Sequence, residues 1–539
     1  MRTKWIRRGA AAVLPAALTL TLFGCVPSGT PPMDASSGVH ADWSALEPYT
    51  APQNQYTRRS EEFMDTLCPA DDYGNLIPFP GRAVSSDWMG DVWLYGLVTA
   101  RGEIVVDPVY SDAYQLSWYD YENSRVVYEP YLYLTKVHYD AQAGREEKDI
   151  TVAALDGSWC RSGYSKVFGV SEGLLVACTA DAQVEAIDGA TGKLIWSKCA
   201  EELHLPFDAS DYGQNVDFSC GMLSYVDVEA QVNYFLDVAS QHLACVPCGE
   251  MSWPVFFTHS RGKAGEMQMN GSVYYGIIDR AGAWVTPPQF VQIDTFRDGR
   301  ALATLRTGAR AVIDTDGNVL HSWPEGEVLV SCGADGDVCY LNVREAEDYV
   351  MGEYRSYPQY EVISACDGAF EMLNAPMPGE KLVWRYDDTY CIFSDRQVAV
   401  GRGTRQTVVP IPEGMFFSHS STIGEDRLVL EFDNETTGEY ACGLYGLSGD
   451  TLIAPGTYRS MAADYDGWSG EICIIGWRIG EEGYDVLDSA GQMRWSLPVG
   501  ASYPRWYGGC LLVQDAFGTM LLDTDGDLLF RYLTLDGDI

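Results

Sequence analysis

The sequence predicts an all-β chain in which repeated antiparallel hairpins form the blades of a β-propeller, with seven or eight blades expected. Short runs of Val, Ile, Leu, Tyr and Trp alternate with Gly, Asp, Asn and Pro over most of the 539 residues, a pattern typical of many short strands joined by turns. Helical periodicity is confined to 60–67 and 344–354, where we expect two short helices. The third observation is an internal repeat, whose period of about 35–50 residues is the size of one propeller blade.

Each repeat consists of an apolar or aromatic strand that ends in Asp, with Gly three residues later. Two of the steps between successive Asp residues, 279 to 314 and 488 to 523, are 35 residues long. Asp can accept backbone N–H bonds at the entry of a turn, and Gly supplies the positive φ that a hairpin turn requires. We therefore predict structural turns at four pairs: Asp279 and Gly282, Asp314 and Gly317, Asp488 and Gly491, and Asp523 and Gly526.

Two stretches carry most of the repeat signal, YGIIDRAGAWVTPPQF at 275–290 and YGLVTARGEIVVDPVY at 95–110. Together with the segment DGRA at 298–301, the first stretch resembles nearly the whole consensus of the WG-repeat family. The second stretch is also a good match to that family. In it Thr99 replaces the usual Asp, so we expect its turn to be capped differently.

A third stretch, AIDGATGKLIWSK at 186–198, is similar to the repeat of quinoprotein-type propellers, with Trp196 as the docking tryptophan. Both resemblances imply propeller-like sheets. They say little about function, because WG-repeat proteins have no common activity and function depends on the site rather than the fold. The quinone-binding residues of quinoproteins have no counterpart in this sequence, so we expect no cofactor.

The N-terminus has the pattern of a bacterial lipoprotein signal. Residues 1–8 contain four basic residues and no acid, and residues 9–24 form an uncharged, largely apolar run of 16 residues. A spanning helix needs about 20, whereas this arrangement is typical of a signal peptide. The run ends in Leu-Phe-Gly-Cys25, which resembles the lipobox, whose Cys accepts a diacylglycerol. An ordinary secretory signal that happens to hold a Cys, or a single membrane anchor, is the alternative.

These features divide the chain into three parts. We predict a signal peptide at 1–24, a lipidated Cys25 with a flexible stalk over 25–60, and a WG-repeat-like propeller domain over 61–539. The stalk is rich in Pro, Ser, Gly and Ala and has no periodicity, which favours a flexible linker. The expected location is the bacterial cell envelope, outside the cytoplasm, with the membrane contacted through the lipid.

The charge balance narrows the choice of partner. The chain has 76 acidic and 36 basic residues, for a formal net charge of −40. A protein this negative repels phosphate backbones and anionic lipid headgroups. We therefore exclude nucleic acid as a partner.

Motifs for catalysis are missing from the sequence. The seven histidines are scattered, and the spacings of common metal or nucleophile sites do not occur. A weak calcium candidate is formed by Asp314, Asp316 and Asn318, which occupy positions 1, 3 and 5 of a calcium loop. Position 6 of such a loop must be Gly and is Val319, so a tight β-turn is the preferred interpretation. Among 76 acids nothing selects a pair of glycosidase carboxylates.

Two aromatic clusters and several cysteines remain. Trp118 with Tyr119, and Trp506 with Tyr507, are candidates for stacking on sugars or peptides. Tyr and Trp are also ordinary strand residues, so core or cross-strand packing is the alternative. Cysteines inside apolar runs, namely Cys442, Cys473 and Cys510, are expected to behave as small buried hydrophobic residues.

The leading functional hypothesis is a surface-anchored lipoprotein whose propeller binds a protein, peptide or glycan ligand without catalysis. The first alternative is an extracytoplasmic enzyme that acts on carbohydrate through carboxylates in the propeller funnel. The second alternative is a scaffold for envelope assembly, by analogy with propeller lipoproteins that serve that process. A pocket of carboxylates and aromatic residues near the propeller axis would favour the enzyme over simple binding.

Overall fold

The computed structural model describes residues 76–533, apart from short breaks of which the longest are 206–215 and 373–381. Within those residues the regular structure consists of β-strands and one 3₁₀ turn, Glu201–Leu203. In the part of the chain that is described, no helix has both the length and the apolar character needed to cross a membrane. The predicted signal peptide and stalk, with Cys25, and the helix expected at 60–67 lie outside the described residues.

The strands follow chain order across eight hydrogen-bonded sheets. The first four sheets contain, in turn, β1 (Leu76–Ser86), β2 (Gly90–Thr99) and β3 (Ile104–Tyr110); β4 (Asp112–Asp120), β5 (Arg125–Asp140), β6 (Arg145–Ala154), β7 (Cys160–Ser171), β8 (Leu174–Thr179), β9 (Gln183–Asp188) and β10 (Leu194–Cys199); β11 (Val216–Ser219), β12 (Met222–Asp227), β13 (Val232–Asp237) and β14 (His242–Pro247); and β15 (Phe257–Thr258), β16 (Arg261–Met267), β17 (Val273–Asp279), β18 (Trp284–Ile293), β19 (Arg300–Leu305), β20 (Arg310–Asp314) and β21 (Val319–Trp323).

The second half of the chain repeats this arrangement. Its four sheets contain β22 (Glu327–Cys332), β23 (Val338–Val350), β24 (Glu353–Cys366) and β25 (Ala369–Met372); β26 (Leu382–Tyr386), β27 (Thr389–Phe393), β28 (Gln397–Arg402) and β29 (Arg405–Pro410); β30 (Phe416–Ile423), β31 (Arg427–Asn434), β32 (Glu439–Gly446), β33 (Thr451–Tyr465), β34 (Ile472–Arg478), β35 (Tyr484–Leu487) and β36 (Met493–Ser496); and β37 (Ser502–Tyr507), β38 (Cys510–Asp515), β39 (Gly518–Leu522) and β40 (Leu528–Leu533).

Each seven-stranded sheet is two blades joined by one long strand that changes partner along its length. In β18, residues up to Phe290 pair with β17, and residues from Phe290 onward pair with β19. The strands β7 and β33 are shared in the same way. Counting each shared strand twice divides the eight sheets of the described residues into eleven blades, which we number in chain order from blade 1 (β1–β3) to blade 11 (β37–β40). The sequence suggested seven or eight blades, because it does not reveal that one strand serves two blades.

The eleven blades form a closed ring. One cluster of buried apolar side chains lies between each pair of consecutive blades, and one further cluster joins blade 11 to blade 1. In that last cluster the ring of Phe79 lies 5.2 Å from the rings of Phe530 and Tyr532, and all three are fully buried. Thr519 also donates a hydrogen bond to the carbonyl of Pro80. This closure, with antiparallel blades in chain order, makes the fold the predicted β-propeller.

Two local predictions have different outcomes. The helix expected at 344–354 is wrong, because β23 and β24 pair there as one long antiparallel hairpin. Long-range pairing overrides the local helical pattern in such a case. Cys442, Cys473 and Cys510 are buried, as the apolar runs around them predict, and burial raises the pKa of Cys442 to about 12.

The four predicted turns share one hydrogen-bond pattern. The Oδ1 atom of the Asp accepts from the backbone N–H groups two and four residues later, at 2.8–3.0 Å. The Gly three residues after the Asp has a φ between +77° and +85°. These turns are Asp279 to Gly282, Asp314 to Gly317, Asp488 to Gly491 and Asp523 to Gly526. Where Thr99 replaces Asp, its Oγ1 accepts from the N–H groups of Arg101 and Glu103 at 3.2 Å.

The turns also fix one blade to the next. A side chain at the outer end of one blade donates a hydrogen bond to a turn carbonyl of the following blade. Trp196, the docking tryptophan of the sequence analysis, donates to Val238 at 2.9 Å. Similar contacts are Trp159 to Gly189 at 3.0 Å, Thr286 to Asp316 at 2.5 Å and Trp495 to Thr524 at 3.1 Å.

Alanine substitutions at two turn glycines distinguish the energetic cost of backbone strain from the cost of disturbing the contact between blades. A Cβ on Gly317 (φ +82°) would lie 2.4 Å from Oγ1 of Thr286 in the preceding blade, whereas a Cβ on Gly308 (φ +88°) meets no atom within 4 Å. We expect Gly308→Ala to lower the free energy of unfolding by about 1–2 kcal/mol, the cost of left-handed backbone. Gly317→Ala should lower it by more, because the blades must also move apart. Denaturant titration measures both losses, and equal losses would contradict the contact between blades.

Candidate functional site

The candidate site lies where the first strands of blades 2, 3 and 4 meet. These are β4, residues 164–171 of β7, and β11, each an edge of its sheet or of its blade. β7 contacts both of the other strands. The blades of a propeller surround a central channel, so adjoining first strands form part of the channel wall.

A β-bulge between β4 and β5 positions the first functional side chains. Gln115 pairs with Leu132 but Ser117 pairs with Tyr128, so β5 has two extra residues at this point. One of them is Glu129, whose Oε1 accepts a hydrogen bond of 2.7 Å from Nε1 of Trp118. Bulges commonly redirect a side chain beside a site, and here the bulge sets a carboxylate against an indole.

These groups line a cavity of about 180 Å³. Its walls come from β4, β5, β7 and β11. They combine three aromatic rings with two carboxyl groups and a hydroxyl. None of the described residues that line it is basic. The side chains that matter for the chemistry are those of Ser117, Trp118, Glu129, Phe168, Asp217 and Phe218.

Asp217 is the second carboxylate of the cavity. Burial raises its pKa from 3.8 to about 7, although a hydrogen bond of 2.6 Å from the Ser219 hydroxyl to Oδ2 acts in the opposite direction. Among the described residues Ser219 is its hydrogen-bond partner, and no basic side chain is paired with it. The cavity therefore holds a carboxyl group that changes charge near neutral pH.

The predicted stacking residues separate in the structure. Trp118 lines the cavity, while the side chain of Tyr119 lies outside the described residues. Trp506 is only 4% exposed and belongs to the core between blades 10 and 11. Tyr507 packs against the core between blades 11 and 1. For this second pair, packing was the alternative that the sequence left open.

Glu129 and Asp217 could not be selected from the sequence. They are 88 residues apart among 76 acids, and only the bulge and the meeting of three blades place them around one cavity. The one available signal was the aromatic cluster around Trp118. It pointed to the correct strand without indicating either carboxylate.

The residues of the calcium candidate, Asp314, Asp316 and Asn318, are bonded to groups of the protein. Oδ1 of Asp314 accepts from the N–H groups of Asp316 and Asn318, and Oδ2 accepts from Nδ2 of Asn318 at 2.9 Å. Asp316 forms an ion pair of 3.4 Å with Arg261. Burial opposes ionisation of Asp314, but these hydrogen bonds outweigh it and lower the pKa. Within the described residues, no group of three or more His, Cys, Asp or Glu side chains is arranged to hold a metal ion.

The raised pKa of Asp217 predicts a pH-dependent effect on stability. Between about pH 4 and pH 7 the unfolded chain ionises this group while the folded chain keeps it protonated, so the fold loses stability as the pH rises through that range. Asn stays neutral throughout. We expect Asp217→Asn to raise Tm relative to wild type by an amount that grows from pH 4 to pH 7 and is constant above pH 7.

Thermal melts of both proteins across this pH range measure the difference. Asp316→Asn, on an exposed turn of blade 6, controls for the removal of one negative charge. A Tm difference for Asp217→Asn that does not vary with pH would contradict the burial of this carboxyl.

Comparison with known proteins adds one family match. Residues 275–305 match the family described as WG containing repeat. That segment begins in β17 and ends in β19, so it covers the strand shared by blades 5 and 6. No match was found among curated proteins.

Solved structures with some similarity include three proteins. BamB from Moraxella catarrhalis is 12% identical, with 68% of this chain and 87% of that chain covered and a TM-score of 0.21. The computationally designed Ika8 protein is 12% identical, with coverage of 69% and 97% and a TM-score of 0.26. The quinohemoprotein alcohol dehydrogenase ADHIIG from Pseudomonas putida HK5 is 10% identical, with coverage of 68% and 66% and a TM-score of 0.23. At these TM-scores, no ligand or activity follows for this chain.

Proposed function

We propose that this protein is an exported lipoprotein, anchored through Cys25, whose propeller binds a protein, peptide or glycan ligand without converting it. The basic start, the apolar run and the Cys after Gly24 support the anchor. The surface anchor and the binding site have separate roles in this proposal. One holds the protein at the membrane, and the other captures a ligand outside it.

The observation that carries the binding proposal is the cavity around Trp118. Its indole is held at a fixed orientation by Glu129, so the ring needs little ordering when a ligand stacks on it. Ligand sites usually combine an apolar wall with a few placed polar groups. The carboxyl groups of Glu129 and Asp217 supply acceptors for hydroxyl or N–H groups of a sugar or peptide.

One observation favours a second candidate, hydrolysis of carbohydrate. Two carboxyl groups line the same cavity, and a glycosidase uses one as a general acid and the other as a base or nucleophile. The pKa of about 7 at Asp217 suits the acid, which must hold a proton near neutral pH. Turnover of oligosaccharides that is lost in both Glu129→Gln and Asp217→Asn would favour this candidate over binding alone.

Binding can be tested on the detergent-solubilised full chain with arrays of immobilised glycans and peptides. We expect at least one class to be retained by wild type and to bind roughly tenfold more weakly to Trp118→Ala, since stacking on one ring contributes about 1–1.5 kcal/mol. Trp284→Ala is the matched control, because Trp284 is a surface tryptophan of blade 5, 41% exposed, away from the cavity. Equal retention by wild type and Trp118→Ala would refute the assignment of this cavity.

The lipid anchor has its own test. We expect wild type to enter the detergent-rich phase when a detergent solution is separated, and Cys25→Ser to remain in the aqueous phase, because the mutant has no thiol to receive the diacylglycerol. Immunoblots of both phases measure the partition. If the mutant enters the detergent phase as fully as wild type does, a spanning segment rather than a lipid holds the protein.

A further inference from the structure

We infer that the cavity around Trp118 binds an organic ammonium group, a protonated amine or a quaternary ammonium, held between aromatic rings and carboxylates. This inference rests on the proposed function, because it names the chemical class that the same site recognises. Amines of this kind occur in peptides, as the Lys side chain, and in amino sugars. The shared chemistry is a positive charge carried on a small organic group.

The partners of the two carboxylates indicate a cationic ligand. Elsewhere in the fold, three carboxylates that are 14–17% exposed are paired with arginine. Glu129 accepts from an uncharged indole and Asp217 from a hydroxyl, and neither has a basic partner in the part of the chain that the structure describes. A cation in the cavity would supply the missing charge. The arginine pairs are Glu185 with Arg161 at 3.1 Å, Asp237 with Arg280 at 3.1 Å and Asp515 with Arg531 at 2.6 Å.

The aromatic rings of the cavity also suit a cation. Trp118, Phe168 and Phe218 border the same space as the carboxylates. A cation within about 6 Å of a ring centroid is attracted by the negative face of the ring, and cages of such rings recognise quaternary ammonium ligands. One ring already contacts a cation of the protein, because Nζ of Lys166 lies 5.5 Å from the centroid of Phe168.

The competing ligand types fit less well. An anion would enter beside two carboxylates and find no basic group among the lining residues. A metal ion needs several ligands, and the described residues contain no group of three that could hold one. A neutral sugar could use the hydrogen-bond acceptors, but it would leave the charge of Glu129 without compensation. An organic cation uses both the rings and the carboxylates.

The pH dependence follows from the charged and polar groups around the cavity. Glu129 lines it from β5, the Ser219 hydroxyl donates to Asp217 from the end of β11, and Lys166 on β7 lies over the ring of Phe168. Ionised Asp217 attracts a cation and the protonated form does not. With a pKa of about 7, the ionised fraction falls roughly tenfold between pH 8 and pH 6, so affinity for a cation should fall with it.

Calorimetric titration of the detergent-solubilised full chain tests the inference with choline and with its uncharged carbon isostere, dimethylbutanol. At pH 8 we expect choline to bind at least tenfold more tightly than the isostere, since a desolvated cation–π contact contributes about 2 kcal/mol. Asp217→Asn should weaken choline binding about tenfold and remove the difference between pH 8 and pH 6. Asp316→Asn, the control for net charge, should leave it unchanged.

Two further arms separate the sources of the ammonium group. Lysine amide represents a peptide amine and glucosamine an amino sugar, and the tighter of the two gives the natural class. Equal affinity for choline and the isostere, or no change in Asp217→Asn, overturns the cation assignment. Binding of glucose or neutral peptides that depends on Trp118 while choline fails to bind also overturns it, but leaves the proposed function intact. If the binding of every ligand on the arrays is also independent of Trp118, both the cation assignment and the proposed binding function of this cavity are wrong.

Discussion

The ring depends on packing between consecutive blades, and at several of these contacts a side chain of one blade donates a hydrogen bond to a turn carbonyl of the next. A four-stranded sheet with two apolar faces cannot bury either face alone, so each blade is stable only against its neighbours. Apolar packing supplies most of the stability but little direction. The donors Trp196, Thr286 and Trp495 supply that direction, because a hydrogen bond forms only within a narrow range of distance and angle.

The same contact explains why the repeat keeps its turn residues. A Cβ on Gly317 would collide with Thr286, and a Cβ on Gly526 would collide with the ring of Trp495. The carboxylate of the Asp before each Gly holds the turn closed by accepting from the backbone N–H groups two and four residues later. A turn carbonyl then accepts the donor from the preceding blade. A short sequence pattern therefore sets both the hairpin and the angle at which blades meet.

This division between local and distant contacts decides what the sequence could predict. The turn of Asp314 and Gly317 is a local structure, and the sequence predicts it because the hydrogen bonds that close it lie within five residues. The shared strand β18, the hairpin of β23 and β24, and the pairing of Glu129 with Trp118 depend on contacts between strands. Sequence reasoning therefore found the fold class, but it missed the blade number, predicted a helix where a hairpin forms, and left the carboxylates unselected.

The cavity around Trp118 differs from the other contacts between blades in its charged groups. At other places an acid is paired with arginine, as Asp237 is with Arg280. Here a bulge interrupts β4 and β5, and two carboxyl groups line one cavity that has no basic residue among its described lining. Burial that raises the pKa of Asp217 means that its ionised form opposes folding at neutral pH. The core contacts of β11 are made by Phe218 and Val216, so the fold does not require a carboxyl group at 217. Sites of this kind are where function, rather than the fold, determines the residue. A cationic ligand bound in the cavity would offset this loss of stability, because it brings the positive charge that the residues around the cavity do not provide.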